Sequence, residues 1–177
     1  KPGMQIPVAA PLRETETGGH GAELVALLGW YVTEGERKRG NIVRINQSES
    51  ANPEKVAAIR RLLAAVGAQW SERKREREWR GRPSVEVVFA VSGKVAEWLD
   101  KMSPEKAIDL DWLAWPAEQI KAFLDAVIDG DGHRRADGRK CVVQKQRAFV
   151  DALQMMALRM GWRANVSPRA AGDWVVY

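Results

Sequence analysis

Few residues in this chain can carry disulfide or zinc chemistry. Its 177 residues include a single cysteine, Cys141, and two histidines. One cysteine forms no internal disulfide, and cysteine-rich structural zinc sites need several thiolates. No apolar run is long enough to cross a bilayer, and no secretory signal is recognisable. These absences exclude a disulfide-stapled secreted domain and a zinc finger. The sequence also contains no evident Ser-His-Asp arrangement.

The charge balance of the chain is basic. Its net charge is +5 and its isoelectric point is about 9.6. A positive balance of this size is consistent with a polyanionic partner, although charge alone says nothing about the fold. A chain of this length is expected to form one domain or two small fused domains, and it can bury a proper core.

Two stretches of the chain have the same form, an apolar helix that ends in an acid beside glycine. Residues 27–35 read LLGWYVTEG, and residues 123–132 read FLDAVIDGDG. The terminal acids, Glu34 and Asp131, lie 97 positions apart. The other matched pairs at this offset are Leu27 with Leu124, Gly29 with Ala126, Gly35 with Gly132, and Gln47 with Gln144. A fixed-period duplication predicts two similar units packed about a local two-fold axis.

The repeated acids would meet near that axis. Helices touch along their backbones only where the facing residues are small, as Gly29 and Ala126 are. The glycine after each acid predicts a left-handed cap that ends the helix. Glu34 and Asp131 would then emerge side by side and repel each other unless a cation lay between them. Oxygen ligands of this kind suit Mg²⁺, and metals between paired acids promote in-line attack on a phosphodiester.

The two stretches resemble the paired signature of LAGLIDADG homing endonucleases in their single-chain, two-repeat form. The copy at residues 124–132 is close to the pattern. The first copy is looser, because residues 30–33 read WYVT and Glu34 replaces the final aspartate. The resemblance implies an α+β fold of duplicated αββαββα units related by a pseudo-two-fold axis. Two antiparallel sheets would form a DNA-binding saddle, with the signature helices at its centre.

The same resemblance divides the chain into four segments. We expect a lead-in at residues 1–20, a first half-domain at 21–103, a linker at 104–116 and a second half-domain at 117–177. The second half-domain is short, because a helix matching residues 93–101 is missing from the sequence. The phrase Lys-Pro-Gly-x-x-Ile-Pro near the start resembles the edge of an intein, so the chain is expected to be a fragment or an intein insert.

The activity implied by the resemblance is a site-specific, metal-dependent double-strand break in a long asymmetric DNA target. The break would be staggered, with 3′-hydroxyl overhangs. Mg²⁺ would serve as the cofactor, and Mn²⁺ or Ca²⁺ would substitute for binding. We expect a monomer with internal pseudo-symmetry, without a membrane partner, in the cytoplasm or nucleoid of a prokaryotic or phage-infected cell. Two alternatives remain open: a catalytically decayed DNA-binding module and an RNA-splicing maturase that uses the same fold.

The resemblance also assigns the residues of the active site. The catalytic candidates are Glu34, Asp131, Gln47, Gln144, Lys106 and Lys145, and the metal ligands are Glu34, Asp131 and the carbonyls of Thr33 and Gly130. Lys106 lies in the Lys-x-Ile context that precedes the second signature in intein-type members, and Lys145 follows Gln144 where the family often places lysine. A lysine near the scissile phosphate stabilises developing charge. The alternative for Lys106 is a solvated lysine at a helix end.

Basic residues after each signature are the candidate DNA contacts. Arg73, Arg75 and Arg77 share one face of a predicted hairpin arm, and a β-ribbon fits the major groove. A solvated charged face is the alternative reading of this arm. In the second half the strand parity is open, because Cys141 and Val143 match Arg44 and Asn46. The remaining predicted contacts are Arg37, Lys38, Arg39, Arg44, Asn46, Ser48, His133, Arg134, Arg135, Arg139, Lys140 and Gln146.

Overall fold

The structure is a computed structural model that describes residues 20–38, 40–134, 136 and 138–176; of Trp79 it describes the backbone only. The predicted lead-in lies outside this part of the chain except for His20, whose ring meets the edge of Trp98 at a centroid distance of 4.8 Å. None of the described helices combines the length and apolar character that a bilayer crossing requires.

Two units with the same order of elements follow one another. The first consists of α1 (Ala22–Glu34), β1 (Gly35–Lys38), β2 (Ile42–Ser48), α2 (Pro53–Ala65), β3 (Gln69–Trp79), β4 (Arg82–Ser92) and α3 (Gly93–Met102). A 3-10 helix (Leu110–Ala114) precedes the second unit. That unit consists of α4 (Ala117–Asp131), β5 (Gly132–Arg134), β6 (Lys140–Gln144), α5 (Arg147–Arg159), β7 (Val166–Pro168) and β8 (Trp174–Val176).

Each unit contributes one antiparallel four-stranded sheet. The strand orders are β1-β2-β4-β3 and β5-β6-β8-β7, so the second sheet repeats the first. The register repeats as well, since Ile45 pairs with Phe89 and Val142 pairs with Val176. The predicted α+β fold of duplicated units is therefore confirmed. Among the described residues of the second unit, α3 has no counterpart, as the sequence predicts.

The core lies between the sheets and the helix pair α1 and α4, which pack along each other. Leu27 and Leu28 of α1 and Ile120 and Phe123 of α4 are fully buried. Apolar burial of this kind is the main favourable term in folding, about 25 cal/mol per Å².

A pair of tryptophans closes one side of this core. The rings of Trp112 and Trp115 are stacked at 4.9 Å, and Trp112 meets the edge of Phe123 at 5.4 Å. Both tryptophans are buried. They are therefore packing anchors, because aromatic rings bury large apolar areas in defined geometries.

The alternation of buried residues fixes which side of the first sheet faces the helices. Val43, Ile45 and Gln47 are buried on β2, whereas the residues between them are partly exposed. Side chains alternate between the two faces of a strand. We call the side opposite Val43 and Ile45, and the corresponding side of the second sheet opposite Val142, the helix-free face.

Candidate active site and nucleic-acid interface

The C-terminal ends of α1 and α4 approach each other at small residues. A Cβ placed on Gly29 would lie 2.7 Å from the Cβ of Ala126 and 2.8 Å from the carbonyl oxygen of Phe123. A Cβ on Gly130 would collide with the side chain of Thr33. Gly29 of α1 therefore lies against the backbone of α4, and the Thr33 side chain packs on Gly130, one residue before each terminal acid. This contact is the seam that the paired small residues predict.

The glycines after the acids have a different role from the predicted one. Gly35 and Gly132 have φ values of −87° and −96°, so neither adopts the left-handed cap conformation. Instead, a Cβ on Gly35 would collide with the carbonyl oxygen of Tyr31, and one on Gly132 would lie 2.6 Å from that of Ile128. Glycine is needed here because the chain turns directly from helix into strand against its own last turn.

Glu34 and Asp131 share one electrostatic environment. Burial, together with the negative charge of Asp131, raises the pKa of Glu34 to about 7. Asp131 is solvent-exposed, yet the desolvation imposed by surrounding protein atoms raises its pKa as well. Raised carboxyl pKa values mean that the nearby cations do not offset the cost of removing the charged carboxylates from water. The pair is therefore poised to take up a proton or a cation.

Two matched glutamines hold these acids. Gln47 donates from Nε2 to Glu34 Oε1 at 3.5 Å, and Gln144 donates from Nε2 to Asp131 Oδ2. Both hydrogen bonds lower the pKa of the carboxyl that accepts them. The structure thus brings together the four residues that the offset of 97 positions pairs in the sequence.

The side chain of Asn52, at the start of α2, contacts Gln47 rather than its own helix. It occupies the N-cap position but makes no capping hydrogen bond. Its Nδ2 donates instead to Gln47 Oε1 at 3.1 Å, and the Ser48 amide donates to the same oxygen at 2.9 Å. With Oε1 occupied by two donors, the amide of Gln47 is oriented so that its Nε2 points to Glu34.

Lys106 reaches the end of α1 from the segment between the two units. Its Nζ donates to the backbone carbonyl of Thr33 at 2.9 Å. Its backbone lies in the left-handed region with φ of 58°, which is strained for a non-glycine residue. Lys106 is therefore held in the site and is not a solvated lysine at a helix end.

An open cavity of about 500 Å³ lies beside this contact. Its walls include Thr33, Lys106, Asp131, Gln144, Lys145 and Gln146. Lys145 is exposed at its edge. Both predicted lysines thus border the space next to Asp131, which can admit a ligand.

Sequence reasoning missed Lys55. This half-buried residue lies in the first turn of α2, and its charge lowers the pKa of both Glu34 and Asp131. The signal available in the sequence was weak, because a lysine in the first turn of an amphipathic helix is normally a solvated residue. The bond from Asn52 to Gln47 joins the start of α2 to the residue that contacts Glu34.

The oxygen ligands at this site fit a hard divalent cation, but the described side chains supply only two of them. Among the described residues no group of three or more His, Cys, Asp or Glu side chains could hold a metal ion. Two carboxylates suffice for Mg²⁺, which keeps several waters and takes phosphate oxygens. The Thr33 carbonyl, predicted as a metal ligand, is already bonded to Lys106. Glu34 and Asp131 are therefore the side chains that would hold the ion.

The helix-free face of the first sheet is basic. Arg44 lies on this face, and so do Arg73, Arg75 and Arg77 of β3, because Arg73 pairs with Val88 and Val88 pairs with Asn46. Glu86 also lies here and forms an ion pair of 2.8 Å with Arg77. The surface therefore carries more positive than negative charge.

The acids of β3 lie on its opposite side. Glu72 bonds Arg60 of α2 through Nη2 at 2.6 Å and Nε at 2.8 Å. Arg60 also reaches Glu49 at 3.3 Å, and Glu49 pairs with Lys74 at 2.6 Å. This network faces the helices and leaves the arginines of β3 on the other face.

Three predicted DNA contacts lie on the helix side of the sheets instead. Arg37 pairs with Asp100 of α3 at 3.1 Å. Arg134 and Lys140 both pair with Asp125 of α4, at 3.8 and 3.1 Å. The reason is register: Arg37 lies opposite the buried Val43, and Arg134 lies opposite Lys140, which shares its face with the buried Val142. These three cations stabilise the attachment of helices to sheets.

The other predicted contacts are distributed as follows. Lys38, Asn46 and Ser48 lie on the helix-free face of the first sheet, and His133 lies on that of the second. The side-chain oxygen of Asn46 is buried and makes no hydrogen bond within the protein. Arg139 and Gln146 flank β6 and are exposed. Arg39 and Arg135 lie outside the described residues.

Comparisons with known proteins agree with this arrangement. Residues 118–176 match the family model of a LAGLIDADG-like domain. The resemblance to the LAGLIDADG family is thereby confirmed, and the chain has the fold of LAGLIDADG homing endonucleases. None of the curated proteins compared with the chain matches it.

Several solved structures have a similar fold. The crystal structure of I-DmoI in complex with DNA and Mn matches with a TM-score of 0.62 and 14% identity over 88% of each chain. The homing endonuclease I-WcaI bound to its DNA recognition sequence matches with a TM-score of 0.63 and 13% identity, over 88% of this chain and 74% of that one. The N-terminal LAGLIDADG domain of DUF199/WhiA matches with a TM-score of 0.59 and 8% identity, over 95% and 86%.

Proposed function

We propose that this protein is a site-specific, divalent-metal-dependent DNA endonuclease. The single observation that supports this most is the juxtaposition of Glu34 and Asp131 at the touching ends of α1 and α4. Their pKa values are raised, and Lys106 is held at the same place. Paired carboxylates beside a cation are what in-line hydrolysis of a phosphodiester needs.

Duplex DNA is the substrate that the surface favours. The helix-free face of the first sheet carries arginines along β3 and Arg44 on β2. Lys and Arg contacts to phosphates supply salt-dependent affinity, and side chains that reach base edges supply sequence choice. The structures of I-DmoI and I-WcaI, which have a similar fold, contain bound DNA. We infer that one chain acts as a monomer on a long asymmetric site, with one sheet over each half.

The residues divide the chemistry among them. Glu34 and Asp131 would hold the divalent ion, with the remaining ligands from water and phosphate. I-DmoI structures with Mn and with Ca support the use of a divalent ion. When bound, the ion supplies Lewis-acid stabilisation of the attacked phosphate.

The neighbouring side chains complete the site. Lys106, Lys55 and Lys145 would stabilise negative charge that develops on the phosphate oxygens. Gln47 and Gln144 orient the two carboxylates through the hydrogen bonds described above. Hydrolysis of both strands at this centre would give the staggered break.

A DNA-binding module without cleavage is the second candidate. The contact between Lys106 Nζ and the Thr33 carbonyl favours it, because the ammonium already occupies one of the predicted metal ligands. Against it, both acids and both glutamines are in place. The two candidates differ in one observable, the cutting of DNA that the protein binds.

A selection experiment tests the proposal. Duplexes from a randomised library are bound in Ca²⁺, recovered, sequenced and then incubated with Mg²⁺, Mn²⁺ or EDTA. Cleavage that depends on Mg²⁺ or Mn²⁺ supports the endonuclease. Tight, sequence-selective binding with no cut under any metal indicates the binding module instead. Failure to retain any duplex, with retention of structured RNA, would identify an RNA-binding maturase.

A further inference from the structure

The two sheets present different chemistry at equivalent positions of their helix-free faces. The register defines the equivalence, since Ile45 and Phe89 of the first sheet correspond to Val142 and Val176 of the second. The matched residues on the helix-free faces are Arg44 with Cys141, Asn46 with Val143, Arg73 with Ser167, Val88 with Val175, and Glu36 with His133. At the first three of these positions a charged or amide side chain is replaced by a smaller or apolar one.

The strands of the second sheet carry less charge on this face than those of the first, although Lys145 and Asp173 flank them and line the same cavity as Val143. Within the described strands β5 to β8, the residues on this face include no Lys, Arg, Asp or Glu. Val143 and Val175 pair with each other and are partly exposed. Cys141 is 5% exposed, and its Sγ lies 2.9 Å from His133 Nε2. The two side chains therefore contact each other. The reading surface is an apolar patch of Val143 and Val175, bordered by Ser167 and His133 and, at the cavity beside Asp131, by Lys145 and Asp173.

The base edges of DNA offer one apolar feature for such a patch. In the major groove, the C5-methyl of thymine is the one alkyl group among the hydrogen-bond donors and acceptors that distinguish the bases. A valine side chain can bury that methyl group but cannot satisfy a donor or an acceptor, and leaving a polar group unsatisfied is costly. The chemistry that suits Val143 and Val175 is therefore thymine.

We propose that the second sheet reads its half of the DNA target through contacts of Val143 and Val175 with thymine methyl groups, while the first sheet reads the other half through Arg44, Asn46 and Arg73. This inference rests on the proposed DNA-binding function. It predicts a target whose two halves are recognised by different interactions. Binding to one half depends on methyl groups, and binding to the other depends on hydrogen bonds and charge.

Replacement of thymine by deoxyuridine tests this, because it removes only the methyl group. Equilibrium binding is measured in Ca²⁺, without cleavage, on duplexes selected from the randomised library and substituted one thymine at a time. Under the second sheet we expect each critical substitution to weaken binding about fourfold, the effect of one buried methyl-sized group. Under the first sheet we expect the dissociation constant to stay within about 1.5-fold, because contacts there use hydrogen bonds.

Exchange variants identify which half lies under which sheet. Val143→Asn gives the second sheet the side chain that the first has at Asn46. It should shift the preferred base at one position from thymine towards adenine, the usual partner of Asn, and remove the deoxyuridine effect there. Asn46→Val should create a deoxyuridine effect in the opposite half. Val143→Thr is a milder change, and Lys94→Ala, on the exposed side of α3, is the control for general effects of mutation.

The outcomes distinguish failure of this inference from failure of the proposed DNA-binding function. Sequence-selective binding that is insensitive to deoxyuridine in both halves overturns the inference and leaves the DNA-binding function intact. Equal effects in the two halves overturn it as well. If no duplex is bound at all, both the inference and the proposed function fail.

Discussion

The side chain of Lys106, in the segment that connects the two units, donates a hydrogen bond of 2.9 Å to the backbone carbonyl of Thr33. Thr33 precedes Glu34, so the ammonium lies at the end of the helix that carries the first acid. The strained backbone of Lys106, with φ of 58°, indicates that this placement is maintained at some cost in stability. Such strain is typical of residues with a functional role.

Lys106→Ala should slow cleavage much more than it weakens binding. Removal of one charge-stabilising donor from an active site typically lowers the rate by about 10²- to 10³-fold. Binding to duplex DNA in Ca²⁺ should change less than about threefold, because the sheets supply most of the contacts. Single-turnover cleavage and equilibrium binding measure the two effects. Lys101→Ala, an exposed lysine of α3, is the matched control, and an unchanged rate for Lys106→Ala would remove this residue from the mechanism.

Asp131→Asn should abolish cutting and retain DNA binding. The substitution preserves shape but removes one of the two carboxylates that hold the ion, so we expect a loss of at least about 10³-fold in rate. Asp129→Asn serves as the control, since Asp129 lies on the same helix end but pairs with Arg134 at 3.1 Å. Cleavage by Asp131→Asn at the wild-type rate would show that the metal assignment is wrong.

The raised pKa of Glu34 predicts a stability that depends on pH. Its pKa rises from 4.5 to about 7 on folding, so the folded protein binds more protons between these values. Stability should therefore fall as pH rises from about 4.5 to 7 and level off above that. Glu34→Gln should reduce this slope, leaving the part that comes from the raised pKa of Asp131, and raise the Tm near neutral pH by about 2–4 °C. Thermal melts in EDTA measure this, and Glu23→Gln, at the exposed start of α1, should keep the slope.

Divalent metal should stabilise the DNA-free protein, and more so at high pH. The ion binds deprotonated carboxylates, so protons compete with it below the pKa of about 7 at Glu34. Mg²⁺ or Mn²⁺ should thus raise the Tm more at pH 8 than at pH 6. The increase should disappear in Asp131→Asn. Equal increases in wild type and variant would indicate that the ion binds elsewhere.

Gly29→Ala should destabilise the seam between α1 and α4. The added Cβ would lie 2.7 Å from the Cβ of Ala126, and overpacking of this kind costs about 1–3 kcal/mol. A second change, Ala126→Gly, should recover part of the loss, because the contact with the Phe123 carbonyl at 2.8 Å remains. A double-mutant cycle by chemical denaturation measures the coupling. Independent, additive effects would contradict close contact at this point.

The seam could be predicted from the sequence because it depends on local spacing. Glu34 and Asp131 recur at one offset together with their glutamines, and a duplicated unit places repeated residues at equivalent sites. The structural roles of Gly35 and Gly132 could not be predicted from the sequence. Both follow a helix, and glycine there usually permits positive φ, whereas these two are needed for close approach.

The sequence also does not show which side chains of the edge strands point towards the helices. β2 contains Val43 and Ile45, so its parity can be read from the sequence, but β1 contains no apolar side chain to set its own. A shift of one residue moves every side chain to the other face. The charge of Arg37 therefore predicts a DNA contact. In the structure it pairs opposite Val43, and its side chain points towards Asp100. Asn52 and Lys55 act through contacts between elements that no local pattern reports.

The unequal pair at the seam also limits how the two halves can be recombined. Gly29 and Ala126 lie at equivalent positions beside the local axis, and there is room for one methyl group between the helices but not for two. A homodimer of the second half would bring two alanines into collision, and one of the first half would leave a void between two glycines. Each half is therefore shaped for the other, so separated halves should reassemble as the mixed pair in preference to either homodimer.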